Sequence, residues 1–290
     1  MEPILEVRGL CKHYPSFDLE NVSFSLSPGE ITGFIGRNGA GKTTAIKAIA
    51  GLLSKDSGSI LYQGKPIEEE EKKVKNEISL LFGGIDFFPT QKVKTLSKVT
   101  KRFYENWDEE LYQKWLRFFS LDENKRIKEL SNGMKVKYNL AIALSHNAKL
   151  LLLDEPTSGL DPVSRDELLD SLREIAKKKG TAILFSTHVI SDLEKCADKI
   201  VYIKKGKILS FKDVPSFKKD YLHIEGKEES ISPESAQAIL HLRKKGDGAF
   251  EGVILAKDMN LFEGFGVREP SLEEIMIAEE RGNENEESPL

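Results

Sequence analysis

The stretch GRNGAGKT, from Gly36 to Thr43, constrains the fold of this chain more than any other part of its sequence. It fits the pattern G-x-x-x-x-G-K-[ST], follows the strand-like run ITGFIG and precedes a segment of helical character. Small residues let successive backbone N–H groups turn inward around an anion, and the helix N-terminus adds partial positive charge. A strand, a glycine-rich loop and a helix in this order therefore predict a phosphate site in an α/β fold.

Each part of this loop has a predicted role in binding a nucleotide. We expect the Lys42 ammonium to reach the β- and γ-phosphates and the Thr43 hydroxyl to bind Mg²⁺. A glycine-rich turn without a ligand is the simpler alternative, but the flanking strand and helix favour the nucleotide site. The residues expected to contact the nucleotide here are Gly36, Arg37, Asn38, Gly39, Ala40, Gly41, Lys42, Thr43 and Thr44.

The run LLLLDEP predicts the second half of the same site, because it ends in Asp154 and Glu155. A carboxylate at the end of a hydrophobic strand lies at the carboxyl edge of the sheet, where open α/β sheets bind ligands. Asp154 is therefore expected to hold Mg²⁺, directly or through water. Glu155 points elsewhere, and we predict that it orients or deprotonates the water that attacks the γ-phosphate. A solvated strand end is the alternative, and the phosphate loop upstream argues against it.

Strand-like runs alternate with helical segments through most of the chain. The runs at 149–154 and 181–186 are apolar without alternation, as expected of parallel strands buried on both faces, and a long helical pattern at 162–179 lies between them. This rhythm predicts an α/β core with a mostly parallel sheet. Residues 90–146 interrupt the rhythm and are predicted to be helical.

The pattern of strand-like and helical segments changes again after residue 212. We therefore expect a nucleotide-binding domain at 1–212, a small α/β appendage at 213–280 and a polar, disordered tail at 281–290. Within the appendage, SPESAQAILHLRKKG is predicted to be one helix, with Ser232 as cap and Pro233 at its first position. The pattern SLEE at 271–274 predicts a capping box that opens a last helix.

Composition excludes several functional classes. The formal net charge of the 290 residues is −4, so there is no overall basic footprint for nucleic acid. The two cysteines, Cys11 and Cys196, lie far apart and match no metal spacing, which favours a reducing compartment. Uninterrupted apolar runs stay well below the ~18 residues of a membrane span, so we expect another chain to supply any membrane part.

Four further motifs accompany the phosphate loop and the paired carboxylates in a characteristic order. With them, residues 3–212 resemble the nucleotide-binding subunit of an ABC transporter. The stretches that carry the resemblance are CKHYPSF at 11–17, LSNGM at 130–134, PTSGLD at 156–161 and STH at 186–188. The resemblance implies a P-loop cassette with a RecA-like core sheet, an N-terminal antiparallel β portion and a helical subdomain at about 90–146.

The resemblance also implies how the motifs act. Two cassettes, either two copies of this chain or this chain and a related subunit, would pair head to tail around two ATP molecules. Ser131 and Gly133 of one cassette would then meet the γ-phosphate held by Lys42 of the other. Asp161 belongs to the family's D-loop, and His188 is implied as the switch that senses the γ-phosphate. Tyr14 would stack on adenine, with Phe17 as its competitor.

By the same resemblance, the protein is an ATP hydrolase that energises a separate transmembrane permease. It would be cytoplasmic and peripheral at the inner face of the cell membrane, without nucleic acid as a partner. FYENWDEEL and LDPVSRDEL are similar to bacterial exporter subunits of the drug, peptide or lipid type. Two alternatives are a soluble ABC-type ATPase that acts on nucleic acid or ribosomes, and a nucleotide-binding regulator with weak turnover.

Two regions depart from the family's usual pattern. Asn132 and Met134 replace a glycine and a glutamine of the signature, and we expect function to survive, since Asn tolerates positive φ better than other non-glycine residues. Gly83 stands where the family has a glutamine that contacts Mg²⁺ or water; Asp86 is a weak substitute for it, and Gln91 lies eight residues downstream. Either the family tolerates this loss or the enzyme is slower or differently coupled. Aromatic residues that could line a groove for the permease are Phe87, Phe88, Phe103, Tyr104 and Trp107.

Overall fold

The computed structural model describes residues 2–82 and 88–282, so Gly83, Asp86, Phe87 and the tail beyond residue 282 lie outside the described residues. By its internal contacts the chain divides into two compact units, Met1–Phe211 and Lys212–Leu290. Among the described residues, no helix is long and apolar enough to cross a membrane.

The first unit alternates strands and helices. Its strands are β1 (Leu5–Tyr14), β2 (Phe17–Leu26), β3 (Ile31–Ile35), β4 (Ser57–Tyr62), β5 (Lys65–Pro66), β6 (Ile78–Phe82), β7 (Leu150–Asp154), β8 (Ala182–Ser186), β9 (Lys199–Lys204) and β10 (Lys207–Asp213), the last of which runs across the boundary. Its α-helices are α1 (Lys42–Ile49), α2 (Glu71–Glu77), α3 (Val93–Thr100), α4 (Glu109–Phe118), α5 (Asn132–Ser145), α6 (Pro162–Lys179) and α7 (Ile190–Cys196).

The central sheet has the strand order β10-β9-β3-β8-β7-β6. The successive pairs β9–β3, β3–β8, β8–β7 and β7–β6 are all parallel, as the sequence predicted. Every residue of β3, β7 and β8 is buried, which explains why these strands are apolar without alternation. Their carboxyl ends meet at one edge, where Ile35, Asp154 and Ser186 end their strands.

A second, antiparallel sheet has the order β2-β1-β4-β5. Its apolar residues share one core with α1 and with one face of the central sheet, where Leu5, Leu19 and Ile46 are fully buried beside Leu152 and Leu184. This is the N-terminal antiparallel portion that the resemblance implied. The shared core fixes α1, and with it the phosphate loop, against the central sheet.

The segment predicted to be helical contains α3, α4 and α5, joined by short 3-10 turns at Lys101–Phe103 and Ile127–Glu129. The hydroxyl of Ser97 lies between the hydroxyls of Tyr112 and Tyr138, and all three side chains are buried. This hydrogen-bonded group joins the three helices and satisfies polar atoms that would otherwise be costly to bury.

Up to residue 282, where the described part ends, the second unit is a four-stranded antiparallel sheet of order β12-β13-β11-β14 with three α-helices. Its elements are α8 (Val214–Lys219), β11 (Tyr221–Lys227), α9 (Pro233–Ala238), β12 (Ile239–Lys244), β13 (Ala249–Leu255), β14 (Gly266–Arg268) and α10 (Leu272–Arg281). The capping box at the start of α10 is confirmed, since Ser271 and Glu274 exchange hydrogen bonds.

The prediction of one helix through SPESAQAILHLRKKG was wrong in its second half. Ser232 does cap a helix with Pro233 at its first turn, but α9 ends at Ala238. From Ile239 onward the chain pairs with β13, where Ile239 lies opposite Ile254. Sheet pairing places Ile239 in the core of this unit and outweighs the helical propensity of the segment.

Candidate functional site

The phosphate loop connects β3 to α1, and its glycines are required by the backbone. At Gly36, which has φ +155°, an added Cβ would lie 2.2 Å from the carbonyl oxygen of Ile203. Gly41 has φ +109° and caps α1, and its Cβ would lie 2.8 Å from Phe17. The loop therefore keeps its shape only with glycine at these two positions.

Lys42 is almost fully buried, with 6% of its surface exposed. Its ammonium donates hydrogen bonds to the carbonyl oxygens of Gly36 at 2.6 Å and Arg37 at 3.2 Å. These bonds hold the charge over the loop, while Arg37, Asn38 and Gly39 are exposed. Of the other predicted contacts, Ala40 is buried, Thr43 is exposed and Thr44 is half-buried.

Thr43 and Asp154 come together as predicted for the two halves of one site. The Thr43 hydroxyl donates a hydrogen bond of 2.8 Å to Oδ2 of Asp154, although 111 residues separate them. The other carboxylate oxygen, Oδ1, accepts a hydrogen bond of 2.5 Å from the Ser186 hydroxyl. The sequence analysis did not single out Ser186, although its place at the end of β8, opposite Asp154 in the parallel register, is a signal that could have found it.

Glu155 and His188 form a pair beside Asp154. The Nδ1 atom of His188 lies 2.7 Å from Oε2 of Glu155, and the imidazole is half exposed. Glu155 has φ +52°, a left-handed conformation that is uncommon for a residue other than glycine. This turn separates the side chains of Asp154 and Glu155, which the sequence analysis expected to point in different directions.

The signature segment, LSNGM at 130–134, forms the N-terminus of α5. The Ser131 hydroxyl accepts a hydrogen bond of 3.2 Å from the N–H of Met134 and so caps the helix. Asn132 and Gly133 are the first helical residues and do not have positive φ, so the tolerance of Asn for positive φ is not needed at this position. Helical φ is open to asparagine, and the substitution for glycine therefore imposes no backbone strain here.

The signature segment lies beside the loop that follows Glu155. A Cβ built at Gly133 would contact the Leu160 side chain at 3.4 Å. A Cβ built at Gly159 would lie 3.2 Å from Nδ2, the side-chain amide nitrogen of Asn132. Asp161 caps α6 by accepting hydrogen bonds from two backbone N–H groups. Hydrogen bonds from Ser164 hold the pKa of the Asp161 carboxyl below its usual value.

The aromatic residues implied for adenine binding lie on the hairpin that joins β1 and β2. Tyr14 is 39% exposed and pairs with Phe17 across the turn, and the Lys12 ammonium lies 5.9 Å from the centre of its ring. Phe17 packs against Gly41 of the phosphate loop. Tyr14 is therefore partly open to solvent, while Phe17 supports the loop itself.

The donor set at Thr43 and Asp154 fits Mg²⁺. Both residues offer oxygen ligands, which this hard cation prefers, and the Thr43 hydroxyl keeps free lone pairs while it donates its proton to Asp154. Among residues 2–82 and 88–282, no group of three or more His, Cys, Asp or Glu side chains is placed to hold a metal ion. A magnesium ion here would therefore depend on phosphate oxygens of the nucleotide for further ligands.

The aromatic residues of the helical segment divide into exposed and packed groups. Phe88 is 66% exposed and Phe103 is 76% exposed. Tyr104 stacks on the buried ring of His146 at a centroid distance of 3.7 Å, and Trp107 packs 5.0 Å from Tyr112. Phe88 and Phe103 are therefore the most exposed of these four described residues, while Tyr104 and Trp107 are half-buried.

A parallel sheet whose edge carries a glycine-rich anion loop, a threonine–aspartate pair and a glutamate defines a P-loop nucleoside triphosphatase. Comparison with known proteins narrows this class. The family model described as ABC transporter matches residues 19–158. The "Uncharacterized ABC transporter ATP-binding protein YdbJ" of Bacillus subtilis is 34% identical over 212 residues, which are 71% of this chain and 68% of that protein. The chain belongs to the ABC transporter ATP-binding family.

Two further relatives agree with this assignment. The "Lantibiotic transport ATP-binding protein SrtF" of Streptococcus pyogenes is 35% identical over 214 residues, which are 72% of this chain and 91% of that protein. A solved structure described as the ATP binding subunit of an ABC transporter superposes with a TM-score of 0.67 at 28% identity. It covers 74% of this chain and 92% of its own. The protein is an ATP-binding subunit of a transporter and an ATP hydrolase.

Proposed function

We propose that this ATP hydrolase uses Mg²⁺-ATP, held by residues 36–44, to drive a separate transmembrane permease. The observation that carries the proposal is the group of contacts at one sheet edge. There Thr43 meets Asp154 at 2.8 Å, and Glu155 meets His188 at 2.7 Å. Charge for the phosphates, oxygen ligands for the metal and a base for water are thus close to one another.

In the proposed reaction each of these residues has a separate task. Lys42 and the loop N–H groups bind the phosphate oxygens and stabilise the charge that develops on them. Bound Mg²⁺ supplies Lewis-acid stabilisation of the same charge. Glu155 orients the attacking water and accepts its proton, and His188 holds the Glu155 carboxylate in place through Nδ1. The exposed ring of His188 leaves Nε2 to contact the γ-phosphate.

The proposed functional unit is a pair of cassettes. Ser131 and Gly133, at the N-terminus of α5, would complete the nucleotide site of a second cassette. A helix N-terminus with a serine hydroxyl suits a terminal phosphate, because its backbone N–H groups and the hydroxyl can donate hydrogen bonds to the phosphate oxygens. Asp161 would stabilise the same interface from its place at the start of α6, and Tyr14 would stack on the adenine.

The proposed membrane partner is a permease that exports its substrate, and the proposed location is the cytoplasmic face of the membrane. Export is supported by the relative named for lantibiotic transport and by the similarity of two segments to exporter subunits. Phe88 and Phe103 support a docking site for the permease, because large exposed aromatic side chains commonly mark protein interfaces.

Light scattering of a Glu155→Gln variant tests whether two copies of this chain together form the nucleotide site. With Mg²⁺ and ATP we expect a dimer, and with ATP and EDTA a monomer. A double variant that also carries Lys42→Ala should remain a monomer under both conditions. Monomers of the single variant that nevertheless bind ATP would contradict pairing of this chain with itself.

A photo-crosslinking amino acid at Phe103 tests the membrane partner in intact cells. We expect a crosslinked product that stays with the membranes after carbonate extraction, as an integral membrane protein does. The matched control is the same probe at Leu209, which is also exposed, at 53%, but lies on β10. Equal products at the two positions, or none at Phe103, would contradict the proposed docking site.

A further inference from the structure

We infer that Ser186 is a positioning residue of the hydrolysis site, which orients the metal-binding carboxylate and the backbone of the catalytic glutamate with one hydroxyl. Ser186 is fully buried at the end of β8, directly opposite Asp154 in the parallel register of β7 and β8. Its Oγ atom lies 2.5 Å from Oδ1 of Asp154 and 3.2 Å from the backbone nitrogen of Glu155.

The direction of these two hydrogen bonds follows from the atoms involved. The N–H of Glu155 can only donate, so it uses a lone pair of the Ser186 oxygen. The single proton of the hydroxyl is then left for Oδ1 of Asp154. The bonds form a chain from a backbone N–H through a hydroxyl to a carboxylate, and bonds in such a chain strengthen one another in a buried site.

The first consequence concerns the Asp154 carboxylate. Ser186 ties Oδ1, and Thr43 donates to Oδ2, so hydroxyl groups from two different elements fix both oxygens of the carboxylate. Asp154 is 7% exposed, and without Ser186 its Oδ1 would lose a partner in a place that water reaches poorly. A carboxylate held in this way needs no reorientation when it binds a metal ion or a metal-bound water.

The second consequence concerns Glu155, whose left-handed φ of +52° costs energy for a residue with a side chain. Its N–H is shared between the hydroxyl of Ser186 at 3.2 Å and the Ser186 carbonyl at 3.1 Å. These bonds hold the strained turn that aims the Glu155 side chain toward His188 and away from Asp154. One residue of β8 therefore fixes the relative directions of both carboxylates.

This inference rests on the proposed Mg²⁺-ATP site. The experiment compares wild type with Ser186→Ala, Ser186→Cys and Ser186→Thr. Calorimetry measures the affinity for the non-hydrolysable analogue AMP-PNP, once with Mg²⁺ and once with EDTA, so that catalysis does not enter the measurement. The matched control is Ser145→Ala, because Ser145 is also fully buried but donates its hydroxyl to Ala141 within α5.

In wild type we expect Mg²⁺ to strengthen binding of the analogue. In Ser186→Ala the increase in affinity that Mg²⁺ produces should be about tenfold smaller, which is the lower end of the range for groups that orient metal ligands. Its affinity in EDTA should stay within about twofold of wild type. Ser186→Cys keeps the size of the side chain but donates weakly, so it should show the same loss even if the alanine variant does not fold. Ser186→Thr, which restores a hydroxyl, and Ser145→Ala should retain the gain.

Three outcomes would overturn the inference. The first is a full Mg²⁺-dependent gain in both the alanine and the cysteine variants of Ser186. The second is an equal loss of affinity with Mg²⁺ and with EDTA, since the hydroxyl would then support the fold and not the metal ligand. The third is a wild-type protein without any gain from Mg²⁺, which would reject the proposed magnesium site itself and is thereby distinguished from the first two.

Discussion

Replacing Gly36 by alanine separates two reasons for glycine in the phosphate loop. A Cβ at Gly36 would lie 2.2 Å from the carbonyl oxygen of Ile203 in β9, about 0.8 Å closer than the 3.0 Å below which real contacts of this kind essentially do not occur. Gly39 is the matched control, because it has φ +82° but a Cβ there would meet no atom within 4 Å. Both substitutions strain the backbone, and only the first also produces a clash.

The expected magnitudes follow from this difference. Gly39→Ala should cost about 1 kcal/mol of unfolding free energy, the typical penalty for a side chain in a left-handed conformation. Gly36→Ala adds an overpacking cost of about 3 kcal/mol, at the upper end of the usual range, because the backbone of β9 cannot rotate away as a side chain would. For a unit of this size, that difference corresponds to a gap of roughly 6–12 °C in melting temperature.

Thermal unfolding followed by circular dichroism measures this gap directly. The two alanine variants are compared with wild type in the absence of nucleotide, so that altered ATP binding does not contribute to the shift. We expect Gly39→Ala to melt within a few degrees of wild type and Gly36→Ala to melt far lower. Equal melting temperatures for the two variants would refute the close approach of Ile203 as the reason for glycine at Gly36.

Three further predictions concern other parts of the chain. Glu155→Gln should lower the steady-state ATPase rate by about 10²- to 10⁴-fold, because the amide cannot accept a proton, while equilibrium ATP binding is retained. Ser131→Ala should lower the unfolding free energy by about 1 kcal/mol through loss of the α5 cap, and a urea titration measures this loss. His146 is buried against Tyr104, and burial lowers its pKa below the ordinary 6.5. The unfolded chain therefore binds the proton more readily than the folded one. The stability of the fold with neutral, buried His146 is fully present above pH 6.5, and it decreases as the pH falls below that value. Melting temperatures at pH 7.5 and 5.5 measure the loss.

Each of these predictions has a control. ATPase activity of Glu155→Gln close to that of wild type would contradict its role as the base. Ser131→Asn retains a good cap, so it should keep the stability of wild type but not support ATP-dependent dimers. A His146→Phe variant removes the titrating group, and the difference between the two pH values should shrink; an unchanged difference would assign it to other residues.

The sequence was most informative where a local pattern carries its own chemistry. The phosphate loop, the helix at 162–179 and the capping box at Ser271 follow from residue types at short spacing, since their hydrogen bonds form between near neighbours. The buried parallel strands were equally clear, because strands covered on both faces need apolar residues at every position. The order of the motifs also sufficed to indicate the family.

Local patterns failed where long-range pairing decides the structure. The segment after Ala238 has residues that tolerate a helix, yet β13 recruits it as a strand. The tolerance of Asn132 for positive φ was likewise not the relevant property, because the capped start of α5 makes this residue helical. For the segment after Ala238 the deciding partner, β13, lies elsewhere in the fold, whereas for Asn132 it is the neighbouring cap Ser131.

Local patterns in the sequence therefore indicated the α/β fold, ATP as the nucleotide and the family, and they predicted the residue types of the site. Which of these groups touch depends on how distant strands pack together. Asp154 meets Thr43 across 111 residues, and Ser186 reaches Asp154 because two parallel strands end in register. The physical reason is that a hydrogen bond requires atoms within about 3 Å, and only the packing of distant strands brings these side chains that close.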